Sequence, residues 1–317
     1  GNANNFSRMR ILIIHQPYPM GNYKLSETLG KKLHEKGHEV ILLHQLNMSE
    51  IDAKHAEEYK NSIDEMDPDV IYYEMLDAAT FDIIKNVKCR NRILCATSNG
   101  ILGYEGIIKG WGVYYDKIIT NSKKMYDELF TNVCAEHFEY YFLAIEDSEL
   151  VYNPKYDKKN VFLGMGFNRL TDDSYKLERD IFFSEQNDVI SIYGNGWNNH
   201  KNWIELLPPN DIASLYKSAK SAVAIIGKGQ RELGMINNRY SEISFSKCPI
   251  ITYPYDIDFY GAATFMNFAS SPSEHHKVVS DINRNPDKYH YKCNLFRDFI
   301  VNQDNIFYEK LTRLFYV

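Results

Sequence analysis

The chain has 317 residues, 44% of them apolar, enough for two domains with cores of ordinary size. Its formal net charge of −6 argues against a broad polyanion-binding surface, and no apolar run reaches the roughly 18 residues of a membrane-spanning helix. The five cysteines, Cys89, Cys95, Cys134, Cys248 and Cys293, form no Cys-x-x-Cys pair, so they read as reduced, buried thiols of an intracellular, cytoplasmic protein rather than as a disulfide or zinc framework.

The polar, Asn-rich first residues carry no secretory signal pattern. Arg10 to His15 reads as a strand. Lys24 to Lys36 reads as a helix, because Leu25, Leu29 and Leu33 recur every four residues. Gly37 stops it before a strand over Glu39 to His44. A polar helix follows, then a strand over Asp69 to Glu74, a helix over Asp77 to Lys85, and strands over Arg92 to Ala96 and Lys117 to Asn121. Ser122 is placed to cap a helix running to Phe130. Short apolar runs separated by helices predict a parallel sheet covered on both faces.

The polar stretch Tyr152 to Lys159 contains Pro154 and reads as an interdomain linker. The pattern then restarts: strand Asn160 to Leu163, helix Leu170 to Phe183, strand Val189 to Tyr193, helix Asn210 to Ser218, and strand Ala222 to Ile226. A short helix bearing Arg239 leads into strand Pro249 to Tyr253. Two helices are expected within Ser273 to Asn302, and a last amphipathic helix over Ile306 to Tyr316. The expected architecture is α/β, with two Rossmann-like domains whose parallel sheets face a cleft. Residues 1–150 form the first, 151–302 the second, and 303–317 a terminal helix packing back on the first. Ligands of such sheets bind outside the carboxyl ends of the strands.

Three loops at strand ends of the second half carry candidate chemistry. Gly164-Met165-Gly166-Phe167-Asn168-Arg169 follows a strand and opens a helix, so its amides and Arg169 suit a phosphate. A tight turn would use the same glycines. Gly194-Asn195-Gly196 ends the next strand, as a turn or as a loop pressed on a ligand. The third delivers Arg239 and Glu242, three residues apart and so on one helix face. The arginine suits a diphosphate oxygen pair, and the carboxylate suits ribose hydroxyls. In the first half, Tyr18 to Glu27 and Thr97-Ser98-Asn99-Gly100 stand where an acceptor would lie.

On these residues the chain resembles the GT-B glycosyltransferases, and most of all the phage DNA β-glucosyltransferases. The likeness is spread over most of the chain. It rests on Ser26-Glu27-Thr28, on Tyr193-Gly194-Asn195, and on Ala224 to Gly227 followed after eleven residues by Arg239 and then Glu242. The resemblance implies transfer of a sugar from a UDP-sugar co-substrate to hydroxymethylated pyrimidine in double-stranded DNA. It places Arg239 at the donor diphosphate and Glu242 at the ribose; Gly164, Gly166, Arg169, Gly194 and Asn195 are expected at the same donor site, with the base beside Leu206 to Asn210. It places Glu27, Ser98 and Asn99 at the catalytic side.

The family's catalytic aspartate would fall on or next to Ser98, where this chain has no carboxylate. Glu27, Glu105 or Asp116 serves instead, or the reaction is retaining, or the sugar differs, a pentose included. No metal and no cofactor is expected, since Arg239 and helix N-termini can stabilise the leaving diphosphate. The expected protein is a monomer. For a DNA acceptor, Lys31, Lys32, Lys36, Lys85, Lys88, Arg90 and Arg92 would gather on one face. A surface glycan or protein acceptor, or a binding module without turnover, are the other readings of the same residues.

Overall fold

The computed structural model describes residues 7–15, 23–46, 52–73, 83–96, 116–128, 130–131, 134–138, 143–254 and 259–316. The chain divides into two compact units, Gly1–Phe138 with Phe307–Val317, and Glu139–Ile306.

The first unit is built on six parallel strands: β1 (Arg10–His15), β2 (Glu39–His44), β3 (Val70–Tyr73), β4 (Arg92–Ala96), β5 (Lys117–Thr120) and β6 (Cys134–His137). Their order in the sheet is β2-β1-β3-β4-β5-β6. The β1, β3 and β5 side chains are buried almost throughout, as expected of strands covered on both faces. Helix α1 (Tyr23–Glu35) buries Leu25, Leu29 and Leu33, the stripe read from their spacing. Helix α2 (Ala53–Met66) is capped by Asp52, whose carboxylate accepts from the His55 amide. Helix α3 (Lys123–Glu128) is capped by Ser122, whose hydroxyl accepts from the Met125 amide at 3.0 Å. The helix expected over Asp77 to Lys85 lies mostly outside the described residues.

The second unit holds β7 (Val161–Leu163), β8 (Ser191–Tyr193), β9 (Trp203–Glu205), β10 (Ala222–Val223), β11 (Ile250–Thr252) and β12 (Asn267–Phe268), again all parallel. Their order is β12-β11-β10-β7-β8-β9. The chain thus runs outward from β7 through β9, then returns to the other side of β7 at β10. The crevice between the loops after β7 and β10 is the topological switch point of this sheet. The expected linker lies within this unit and sends one side chain into its core. Tyr156 within it is fully buried beside Tyr193, and its hydroxyl donates to Asp211 at 2.7 Å.

The expected helix over Leu170 to Phe183 is interrupted, as α4 (Phe167–Thr171), a 3₁₀ turn, and α5 (Lys176–Phe182). Asp172 breaks it by accepting from the Ser174 amide. Helix α6 (Ile212–Ser218) and two helices after β10, α7 (Lys228–Glu232) and α8 (Asn238–Phe245), follow. Helix α9 (Pro272–Arg284) is capped by Ser271. The second and last of the expected C-terminal helices are one helix, α10 (Pro286–Phe315), and its residues from Phe307 belong to the first unit. There Lys117 Nζ donates to the Leu314 carbonyl, and Asn91 donates to that of Phe315 at 3.1 Å. These bonds satisfy carbonyls that the end of a helix leaves open.

Candidate functional site

The second unit's candidate site is assembled from the carboxyl ends of β7, β8 and β10. After β7 the loop Gly164-Met165-Gly166 packs directly on Gly194-Asn195-Gly196, which follows β8. The Gly164 amide donates to the Tyr193 carbonyl at 3.1 Å, and the Gly166 amide to that of Asn195 at 2.7 Å. A β-carbon on Gly194 would stand 2.1 Å from the Gly164 oxygen, and one on Gly166 would stand 2.5 Å from that of Gly196. Gly194 also has φ +125°. These glycines therefore let two loops meet, and the Gly164 and Gly166 amides are spent on that contact rather than held out for a phosphate. Two indoles secure it: Trp197 Nε1 donates to the Gly164 carbonyl at 2.9 Å and Trp203 Nε1 to that of Gly194 at 2.6 Å. Asn195 itself is exposed.

The groups left for an anion are two arginines. Asn237 caps α8 by accepting from the Arg239 amide at 3.2 Å, and it also ties itself to the Ile225 carbonyl. This holds Arg239 at the start of the helix, where the dipole is positive. Its Nε donates to the Leu163 carbonyl at 2.7 Å, and its guanidinium carbon lies 5.1 Å from the centre of the Phe162 ring. Arg169 shares the same ring at 5.2 Å and lies 5.1 Å from that of Tyr175. Its Nη1 donates to the Met165 carbonyl at 2.5 Å, while its buried Nε has no partner. Among the described residues no carboxylate is ion-paired with either arginine. Burial, and then the charge of Arg239, push the Arg169 guanidinium down to about 10. Two cations on one ring, with no carboxylate partner among the described residues, make a site that suits a diphosphate.

Glu242 lies one turn along α8, only 7% exposed, and its Oε1 accepts from Asn238 at 3.3 Å. A third arginine, Arg231 on α7, is already paired: its Nη1 bonds the buried carboxylate of Glu178 and the Ile226 carbonyl. Sequence patterning passed over Arg231, Phe162 and Tyr175. The one signal for the aromatic pair was position, since each lies within seven residues of Arg169. Leu206, at the carboxyl end of β9, is 60% exposed beside the Gly194 loop, while Leu207 packs on the core.

Among the residues expected on the catalytic side, Glu27 is exposed on α1, and Ser98, Asn99, Glu105 and Tyr18 lie outside the described residues. Asp116 stands at the amino end of β5, where its carboxylate accepts from the Arg92 amide and Nε. That is the edge opposite to the one where such sheets bind ligands, which removes it as a candidate base. The same pair takes Arg92, 7% exposed, out of the expected DNA-facing set. Lys32 and Lys36 both lie over the Tyr308 ring, at 4.7 and 4.9 Å. Among the described residues, no cluster of His, Cys, Asp and Glu could hold a metal, and no helix is long and apolar enough to cross a membrane.

No family model and no curated protein matches the chain. Solved structures match over nearly its full length. An α-glucosyltransferase in complex with UDP and a 13-mer DNA containing an HMU base is 11% identical, with 98% of this chain and 100% of that one covered and a TM-score of 0.67. Sucrose-phosphate synthase from Thermosynechococcus elongatus is 10% identical, covered over 96% and 100%, at 0.57. UDP-GlcNAc 2-epimerase from Methanocaldococcus jannaschii is 11% identical, covered over 86% and 92%, at 0.51. With its two six-stranded parallel sheets and flanking helices, the chain has the GT-B fold.

Proposed function

We propose that this protein is a glycosyltransferase that moves a sugar from a nucleoside-diphosphate sugar, with UDP as the nucleotide, to an acceptor hydroxyl. One observation carries the reading: Arg169 and Arg239, with no carboxylate partner among the described residues, lie on one phenyl ring at the sheet's switch point, with buried Glu242 one turn from Arg239. The two guanidiniums take the diphosphate. Glu242 accepts from the ribose hydroxyls, and exposed Leu206 offers an apolar edge to the base. The UDP held by the α-glucosyltransferase above supports this choice of nucleotide.

The acceptor in this reading is a hydroxymethylated pyrimidine in DNA, supported by the HMU-containing DNA in the same neighbour. Position 98, a serine, offers no carboxylate to take the acceptor proton. The departing diphosphate can take it instead, on the face it leaves: the sugar–phosphate bond breaks, the acceptor oxygen bonds the sugar, and the proton ends on phosphate. That route retains the anomeric configuration. A panel of UDP-sugars against plain DNA, hydroxymethylated DNA and simple glycans, read by mass spectrometry, tests it. Transfer to hydroxymethylated DNA alone is the expected result. Conversion of UDP-GlcNAc with no acceptor would favour an epimerase, and UDP binding without turnover a binding module.

A further inference from the structure

Beside Arg169 stands a hydroxyl that the fold leaves unused. Tyr175 closes the 3₁₀ turn ahead of α5, and the Arg169 guanidinium carbon lies 5.1 Å from the centre of its ring. The far end of that ring meets the loop after β10: a β-carbon on Gly227 would stand 2.8 Å from the Tyr175 oxygen. An ion pair holds this contact in register. One turn further along α5, the buried Glu178 carboxylate is bonded by Arg231 of α7, and the same Nη1 donates to the Ile226 carbonyl at 2.8 Å, one residue ahead of Gly227. The pair keys the start of α5 to the end of β10, and the phenol with it. In the same unit the hydroxyls of Tyr156, Tyr240 and Tyr289 meet Asp211, Thr252 and Asp281. That of Tyr193 has no partner, but the residue is sealed in the core. Among the described residues the Tyr175 hydroxyl has none either, and the residue keeps 8% of its surface open. Such a hydroxyl can donate to a ligand without taking a bond from the fold.

We infer that Tyr175 is a third phosphate-binding group of this site, its hydroxyl donating to the diphosphate that Arg169 and Arg239 take. The inference rests on the UDP-sugar reading given above. An anion on the Arg169 guanidinium lies beside the phenol, because the ring under that guanidinium is the one that carries the hydroxyl. The phenol is a neutral donor, so it adds a bond without adding to the repulsion between the two cations. A bond from an O–H to a phosphate oxygen is charge-assisted, and so stronger than one between neutral groups.

Tyr175→Phe removes the oxygen and leaves the ring under Arg169 in place. UDP and uridine are titrated by calorimetry into the wild-type chain and the variant, with melting temperatures measured alongside. The expected result is an unchanged melting temperature, UDP binding weakened about tenfold, and uridine binding as in the wild type, because only the phosphates lose a donor. A variant that binds UDP as the wild type does overturns the inference and leaves the UDP-sugar reading standing, whatever its melting temperature. Equal loss for UDP and uridine also overturns it, since the oxygen would then serve the nucleoside or the shape of the site rather than the diphosphate. If the wild-type chain does not bind UDP, the inference falls together with the reading beneath it.

Discussion

Replacing Arg239 with glutamine separates a binding role from a structural one, because the two predict opposite effects on the empty protein. Among the described residues, the arginine's hydrogen bond to the fold runs to the Leu163 carbonyl at 2.7 Å. A bond from a charged donor contributes about 1.5 kcal/mol at the lower end of its range. Against it stands repulsion. Each guanidinium carbon lies about 5 Å from the same ring centre, so the two charges are at most about 10 Å apart. At an effective dielectric of about 20 that repulsion costs at least ~1.7 kcal/mol, which sits within the range of a charged hydrogen bond. The terms nearly cancel, so Arg239→Gln should melt within a few degrees of the wild type. Its UDP affinity should fall by ~2 kcal/mol, about 30-fold, the size of one lost charge-assisted contact. Differential scanning fluorimetry and isothermal calorimetry on the same samples give both quantities. A variant that melts far lower yet binds UDP as before would refute the reasoning, showing Arg239 to be a strut of the fold.

Three further outcomes follow from the geometry. Arg169 is pushed down to about 10, so UDP affinity should hold steady from pH 7 to 9 and fall near pH 10; Arg169→Gln should bind more weakly throughout and lose that step, as pH-resolved calorimetry would show. His275 is fully buried between Asn160 and Asn187 and is pushed down to about 4 by burial, and then by the charge of His276. The unfolded chain takes up a proton near pH 6.5 that the folded chain refuses until about pH 4, so stability is present above 6.5 and is lost as pH falls through that window, by about 3 kcal/mol. Melting temperatures across pH 4 to 7 would show the decline, and it should be shallower in His275→Gln. Gly194→Ala combines φ +125° with a β-carbon 2.1 Å from the Gly164 oxygen, so it should cost more than about 2 kcal/mol, seen as a melting temperature lowered by several degrees.

Most of the strands were legible because each is a short apolar run bounded by polar or turn residues, and β1, β2 and β4 fall where the runs do. The edge strands β6, β9 and β12 escaped because two to four residues of mixed polarity leave no periodic signal. The long helix α10 was split in the sequence reading at Asn302-Gln303-Asp304-Asn305, where the apolar stripe lapses. The structure keeps it continuous, and Asp304 there accepts from the Leu143 amide at 2.7 Å, a partner remote in sequence. The spacing of Arg239 and Glu242 ahead of a core strand puts them on one short helix, and α8 carries both. The glycines were read for phosphate contact, although they serve the meeting of two loops, because a sequence shows that backbone comes close to something but not to what. Phe162 could not be told from any other core aromatic until two guanidiniums were seen to share its ring.

The indole clasps on the glycine loops give the protein an optical reporter of its own. Of the three tryptophans, Trp111 lies outside the described residues. Trp197 is nearly fully buried and has its ring 5.9 Å from that of Phe162, the one beneath both arginines. Trp203 is partly open to water. An excited indole shifts its emission with the electric field around it. An anion settling on the arginine pair would alter that field one ring away from Trp197. Occupancy of the site would then be written in the colour and intensity of the protein's own fluorescence, without label or modified ligand.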